Sequence, residues 1–396
     1  ITKATQRGNR NLAKKLQYLL TSSFDAKLLA VKKVTSNKGK RTSGIDRKLW
    51  STPSSKYKAA LSLKTKGYKA SPLRRIYIEK KGKKKKRPLG IPTMYDRAIQ
   101  ALYAMALDPI AETTADKTSF GFRKKRSTQD AAQHIFNYSA LNKGNQWILE
   151  GDIKGCFDNI NHQWLMENIP IEKKILKQLL TAGFIYKRKL FPTETGTPQG
   201  GILSPIMANI TLSEEKTLIT NIDDGFDFLG WSFRKYNGKL LIKPSKDSIR
   251  KVTETLKTMI RLHRGKSQTE LIKSINPIIT GWTNYHKTAC AKKIFAKLDN
   301  AIFNTLWRWA KRRHPNKSRK WIKNRYWKRT LFNNWIFSDG NIELKRAAHT
   351  NIVRHRIIKF DANPYLPEFR RYYYYRDQQR MQGRKYEVAA NGIFGE

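Results

Sequence analysis

Between residues 10 and 35, Leu12, Leu16, Leu19, Leu20, Phe24, Leu28, Leu29 and Val31 recur at helical intervals among Lys and Arg. This pattern predicts a basic amphipathic helical arm, broken near Ser22-Ser23. Asn37 to Asp46 is polar and glycine-bearing, hence a loop. Ile76-Tyr77-Ile78 reads as a short strand running into Lys80-Lys81-Gly82-Lys83-Lys84-Lys85-Lys86-Arg87. That run is a β-hairpin tip offered to phosphates, or else a solvated charged turn or a localisation signal. A helix is expected from Asp96 to Ala111, with Ala98, Leu102, Met105 and Leu107 on its buried side, and a second after a cap at Ser127 or Thr128. Residues 146–153 read as a buried strand with Asp152 at its end.

Beyond the glycine-rich stretch Gly196-Thr197-Pro198-Gln199-Gly200-Gly201, the run Gly225 to Phe233 predicts a strand. Asn237-Gly238 before Leu240-Leu241-Ile242 is a two-residue hairpin signal. Pro244-Ser245 opens a helix with Ile249, Val252, Leu256, Met259 and Ile260 on one face, and further helices follow around 268–286 and 296–313. A mixed α/β part therefore gives way to an all-helical one near residue 243. In the last of these helices Leu298, Ile302, Leu306 and Trp309 read as a core stripe.

Charge changes the picture from a fold to a partner. Lys and Arg number 80 against 30 Asp and Glu, a net charge of +50 that would self-repel strongly without a polyanion, and nucleic acid is the default one. Aromatic residues make up 11% of the chain, enough for packed cores between the basic faces, so this is not a disordered basic tail. Between Ala291 and Thr330 fourteen Lys or Arg face one acid, Asp299, and are interleaved with Trp307, Trp309, Trp321, Tyr326 and Trp327. Cations for phosphates beside aromatic faces for bases suit single-stranded or structured RNA. Cys156 and Cys290 lie far apart, without the spacing of a zinc site or disulfide framework. No run approaches the roughly 18–20 apolar residues of a membrane span, and the N-terminus shows no apolar signal segment. A soluble, cytoplasmic protein without a membrane partner is the expectation.

Several blocks then carry a resemblance. In order they are Ser43-Gly44-Ile45-Asp46, Arg87-Pro88-Leu89-Gly90-Ile91-Pro92, Phe120-Gly121-Phe122-Arg123, Asp152-Ile153-Lys154-Gly155-Cys156-Phe157-Asp158, Thr197-Pro198-Gln199-Gly200-Gly201 and Phe228-Leu229-Gly230-Trp231. Together they resemble the reverse-transcriptase blocks of proteins encoded by bacterial group II introns. The likeness continues through Gly281-Trp282-Thr283-Asn284-Tyr285-His286, Leu306-Trp307-Arg308-Trp309-Ala310 and Arg313-His314-Pro315-Asn316-Lys317. It implies an α+β right-hand polymerase fold: an N-terminal basic helical extension (1–50), fingers and palm (51–243), an all-helical thumb or maturase domain (244–290), a basic DNA-binding region (291–378) and an unassigned tail (379–396).

What the resemblance implies for the site is specific. Asp152 and the carbonyl of Ile153 would hold Mg²⁺, of which two ions are expected, for transfer from a dNTP. Phe157 would wall the incoming sugar, and Gln199, Lys80 and Arg87 would contact the nucleotide. Arg123, Arg126, Gly200 and Gly201 would lie along the template RNA. Arg308, Lys311, Arg312, Arg313 and Lys317 would form a basic thumb and DNA-binding surface. The partners implied are intron RNA, as a lariat ribonucleoprotein, and target DNA, which would place the protein at the nucleoid when bound. Oligomeric state is left open.

One half of the implied site is missing from the chain. Palm polymerases use a further pair of aspartates on a tight hairpin, and no Tyr-x-Asp-Asp string occurs in the 396 residues. Asn221-Ile222-Asp223-Asp224 is a poor substitute, because it directly precedes Gly225-Phe226-Asp227-Phe228-Leu229-Gly230, the block after the hairpin. Fifteen residues separate Ile210 from Phe226, whereas helix, hairpin and second helix need about 40. A stretch carrying the pair is therefore expected to be absent near Leu212 to Glu214. The alternative is a catalytically inactive maturase, an RNA-binding scaffold. No Cys/His endonuclease ligands follow Gln378.

Overall fold

The computed structural model describes residues 1–79, 86–141, 146–151, 160–197, 201–210, 217–329 and 334–379. Two compact units are formed, one from Ile1–Ser127, Gly151–Lys216 and the chain from Ile358, the other from Thr128–Glu150 and Thr217–Ile357. The boundary expected near residue 243 falls inside the second unit, and the residues from 358 onward belong with the first.

The first unit is built around one long helix. The basic arm is α1 (Thr2–Gln6), α2 (Arg10–Ser22) and α3 (Phe24–Ser36), and the break falls at Ser23, whose extended backbone ends one helix and opens the next. Helix α4 (Pro53–Ser62) starts with a capping box of Thr52 and Ser55. Strands β1 (Leu73–Ile78) and β2 (Arg87–Ile91) pair antiparallel, with Ile78 opposite Arg87 at the end where the chain passes from one strand to the other. Helix α5 (Met94–Thr114) is capped by Thr93 and buries most of its circumference, including Ala98, Leu102 and Leu107. The core around it also holds Val31 and Val34 of α3, Leu165, Leu176 and Met207. An all-round apolar helix is the signature of a central one.

In the second unit, α6 (Thr128–Ser139) is followed by β3 (Trp147–Gly151). In the first unit come α7 (His162–Asn168), α8 (Lys173–Leu180), β4 (Phe184–Tyr186), β5 (Lys189–Phe191) and α9 (Ser204–Ile210). The sheet order there is β2-β1-β4-β5. Strand β6 (Thr217–Asn221) pairs with β3 alone, and β7 (Phe226–Phe228), β8 (Trp231–Tyr236) and β9 (Lys239–Pro244) form an antiparallel meander. Asn237 and Gly238, at φ 48° and 75°, make the tight turn that pairs Tyr236 with Lys239.

The reading of 146–153 as a buried strand needs correcting. Strand β3 exists, but Trp147 and Leu149 are each 64% exposed, because its one sheet partner among the described residues covers an edge and not a face. Ile148 packs instead on the cluster of Phe226, Trp231 and Phe233.

Three helices complete the second unit: α10 (Lys246–Leu262), α11 (Gln268–His286) and α12 (Lys292–Arg313). Val252, Leu256 and Ile260 on α10 meet Leu271, Ile275 and Ile279 on α11, and Phe295, Leu298, Ile302, Leu306 and Trp309 on α12. The core stripe read from the last helix is therefore observed. Helix α13 (Arg319–Tyr326) and the ribbon β10 (Trp327–Lys328) and β11 (Ile336–Phe337) close this core.

Candidate functional site

Asp152, Ile153, Phe157, Lys80, Gln199 and Gly200 lie outside the described residues, as does the side chain of Arg87; what is described is how the segments around them are pinned. The glycine-rich loop is held at both ends. Gly196, at φ 78°, donates its N–H to the Ile160 carbonyl at 2.8 Å, and its own carbonyl lies 2.7 Å from His162 Nε2. At the far end the Ile202 N–H donates to Gln100 Oε1 at 2.8 Å, from a buried position on α5. Gly201, Leu203 and Ser204 are buried behind it. Gln100 was not singled out by the sequence, and the local pattern does not mark it, since the same helix also carries Asp96, Arg97 and Glu112.

The two other N-terminal blocks lock onto each other. A Cβ on Gly44 would sit 2.6 Å from the Thr93 backbone, so only glycine lets Ser43-Gly44-Ile45-Asp46 pass so close to Pro92-Thr93. Arg74 donates from Nε and Nη2 to the Ser43 carbonyl at 3.1 and 2.8 Å. Buried Arg97 donates to the carbonyls of Pro92, Gly39 and Thr42. These two arginines fix the loop rather than reach for phosphate.

Arg123 also turns inward, which corrects its expected place on the template. Its guanidinium grips buried Glu112 in a fork, Nε to Oε2 at 2.8 Å and Nη2 to Oε1 at 2.7 Å. The remaining donors go to the carbonyls of Glu112, Asp116 and Ser119. Arg126 is likewise drawn in: its side chain is buried, 3.6 Å from Glu112 and bonded to the carbonyls of Lys117 and Phe360. Five donors in a rigid fork suit a carboxylate as well as a phosphate, so the residue type alone does not decide. The loop is backed by the returning C-terminal segment, where Ile358, Ala362 and Tyr373 pack with Phe120. Lys124 reaches Asp108, and Lys125 reaches Asp377.

The Ile222 N–H donates to the Gln146 carbonyl, which places the turn of Asp223 and Asp224 beside the start of β3. Among the described residues no group of three or more His, Cys, Asp or Glu converges as a metal site.

Two blocks meet at a buried aromatic junction. Trp231 stacks on Tyr285 at 4.5 Å, and His286 packs edge-on against Trp231 and Tyr285 and tilted against Trp282. Ser248 Oγ accepts from Trp282 Nε1 at 3.1 Å and lies 3.0 Å from His286 Nε2. Burial holds the His286 imidazole down at about 4, below its ordinary 6.5. Between those values the unfolded chain binds a proton that the folded one refuses, so stability is full above pH 6.5 and falls as the pH drops towards 4. Roughly 3 kcal/mol should be lost by pH 4; urea titrations at a series of pH values check this, and His286→Gln should flatten that part of the profile.

The five basic residues expected to form a surface, Arg308, Lys311, Arg312 and Arg313 on α12 and Lys317 beyond it, are all exposed. Arg313 lies 4.7 Å from the Trp309 ring centroid and bonds the carbonyls of Arg264 and Lys266, which ties it to the end of α10. Lys317 covers Trp321 at 5.6 Å. Of the aromatic residues interleaved here, Trp309, Tyr326 and Trp327 are buried in the core, while Trp307 is half-buried and Trp321 exposed.

Comparison with known proteins adds three family profiles in chain order. The N-terminal domain of reverse transcriptase matches residues 1–63, reverse transcriptase (RNA-dependent DNA polymerase) matches 78–232, and the group II intron maturase-specific domain matches 249–327. Over 219 residues the chain is 40% identical to the group II intron-encoded protein LtrA of Lactococcus lactis subsp. cremoris, covering 53% of this chain and 36% of that one. It is 35% identical over 235 residues to a 91 kDa protein in the cob intron of Schizosaccharomyces pombe, covering 57% and 28%. A putative COX1/OXI3 intron 1 protein of Saccharomyces cerevisiae is 31% identical over 211 residues, covering 51% and 24%. The chain thus spans about a third or less of the length of these relatives. It carries a reverse-transcriptase domain followed by a group II intron maturase-specific domain, and over about half its length it is similar to a group II intron-encoded protein.

Proposed function

We propose that the protein is an RNA-directed DNA polymerase and maturase: it binds its intron RNA to promote splicing, then copies that RNA into DNA from a primer at the target site during retrohoming. The observation that carries this is the coexistence in one chain of the reverse-transcriptase and maturase-specific domains. A net charge of +50 supports a large polyanionic partner. No described helix is long and apolar enough to cross a membrane.

Reverse-transcriptase domains depend on divalent metal. Our reading takes the ion as Mg²⁺, the substrate as dNTP, and Asp152, Ile153, Phe157, Gln199, Lys80 and Arg87 as the contacts. One carboxylate does not hold two ions, so the chain as it stands does not fit the metal pair, and no metal-dependent step is derived from it. The active form would carry its second aspartates on a segment at the seam near Leu212 to Glu214. Bare apolar surface supports this. Trp147 and Leu149 share one face of β3, and Thr220 bonds Glu150 across to β6 on the other, so exposed Ile219 joins the first two. A completed palm would cover that face.

Primer extension on an RNA template with Mg²⁺ tests both parts. The chain as it stands should give no product, and the chain completed with a Tyr-x-Asp-Asp hairpin segment at the seam should extend the primer. Product from the former would overturn the missing-pair reading; none from the latter would favour an RNA-binding scaffold. Intron RNA binding should weaken linearly on a log–log plot against salt for both.

A further inference from the structure

A cleft of about 290 Å³ opens between α12 and the segment 334–348, within the second unit. Its wall is aromatic. Trp335 is 44% exposed and is held at 6.1 Å by both Phe303, edge-on, and Trp307, tilted. Lys323 Nζ lies 4.6 Å from its ring centroid, and Lys345 and Arg346 form part of the cleft lining. On the floor Asp299 accepts the N–H groups of Ala347 and Ala348 at 2.7 and 2.9 Å, which leaves carboxylate lone pairs for a further donor.

We infer that this cleft takes a single unstacked base of a nucleic-acid strand, stacked against Trp335, with the flanking phosphates on the surrounding cations. Three features point to that occupant. Trp335 lines the cleft with a partly exposed aromatic ring, and a base has a π-face to offer it whatever its identity. The cationic surroundings match phosphate: Lys323, Lys345 and Arg346 lie at the cleft, beside the stretch 291–330 with its fourteen Lys or Arg against Asp299. A volume of about 290 Å³ admits one ring system and its sugar edge but no duplex. Trp335 lies beyond the motif blocks that marked this region in the sequence. The inference rests on the reading of this region as nucleic-acid-binding and adds to it a base-dependent contact.

Fluorescence anisotropy with the full chain tests it, using labelled single-stranded dC12 and an abasic dodecamer of equal charge. The intact chain should bind dC12 roughly tenfold more tightly than the abasic strand, the scale of one stacked base. Trp335→Leu should erase that difference while keeping the abasic affinity and its salt slope, and Trp335→Phe should retain it. Ala296→Trp, which fills the cleft from the opposite wall, should erase it without touching Trp335. A difference that survives both Trp335→Leu and Ala296→Trp overturns the cleft. Equal binding of the two strands by the intact chain overturns it while leaving the basic region as a phosphate-binding surface. No salt-dependent binding of either strand overturns both readings.

Discussion

Asp152→Ala, made in the protein completed at its seam, is expected to lower primer extension to background while leaving intron RNA binding intact. The loss should reach at least about a thousandfold, since removal of a bridging carboxylate takes away the charge that positions both the attacking hydroxyl and the leaving pyrophosphate. RNA binding should persist because a carboxylate offers a phosphate backbone no attraction, and the +50 balance of the chain is left in place. Single-turnover extension and a filter-binding titration on the same preparation separate the two. Extension at the normal rate would rule out Asp152 as a metal ligand, and a parallel loss of RNA binding would assign it to the fold.

Glu112→Ala should destabilise the first unit by about 3–5 kcal/mol, and Arg123→Ala by a similar amount. Either change strands the other charge in a site where both side chains are under 5% exposed, and Arg123 loses a two-pronged contact while its carbonyl partners lose their donors. The double change Glu112→Met with Arg123→Met should restore much of the loss, since apolar groups of similar size leave no buried charge unpaired. Urea unfolding of the four proteins completes the cycle. Were Arg123 a template contact, as the family blocks implied, Arg123→Ala would instead weaken RNA binding and leave the unfolding midpoint where it was.

Asp152 drew attention as an acid at the end of a strand read as buried, although one face of that strand is exposed, and its metal-binding role rests on the proposal above. Arg123 was misplaced because an arginine in a basic run looks the same whether its fork meets a phosphate or a carboxylate eleven residues earlier in the chain. The same holds for the aromatic residues of the helical region. Trp309 fell in the core as its spacing from Leu298, Ile302 and Leu306 required, yet Tyr326 and Trp327, read as nucleic-acid surface, lie in the same core. Trp335, which the motif blocks passed over, is the exposed one.

By itself the sequence determined what depends on neighbours a few residues away. The helix break at Ser22-Ser23, the Asn237-Gly238 turn and the apolar stripe of α12 all follow from local backbone preference and side-chain period. Its net charge also called for a polyanionic partner, a reading that needs no fold. Only the tertiary structure decided which side chains face solvent. The arginine clamps on Gly44, the Gln100 anchor under Ile202, the bare face of β3 and the return of residues 358–379 to the first unit each join segments far apart in the chain. Such pairings depend on which surfaces meet once the chain has collapsed, and a partner dozens or hundreds of residues away leaves no mark on the local pattern.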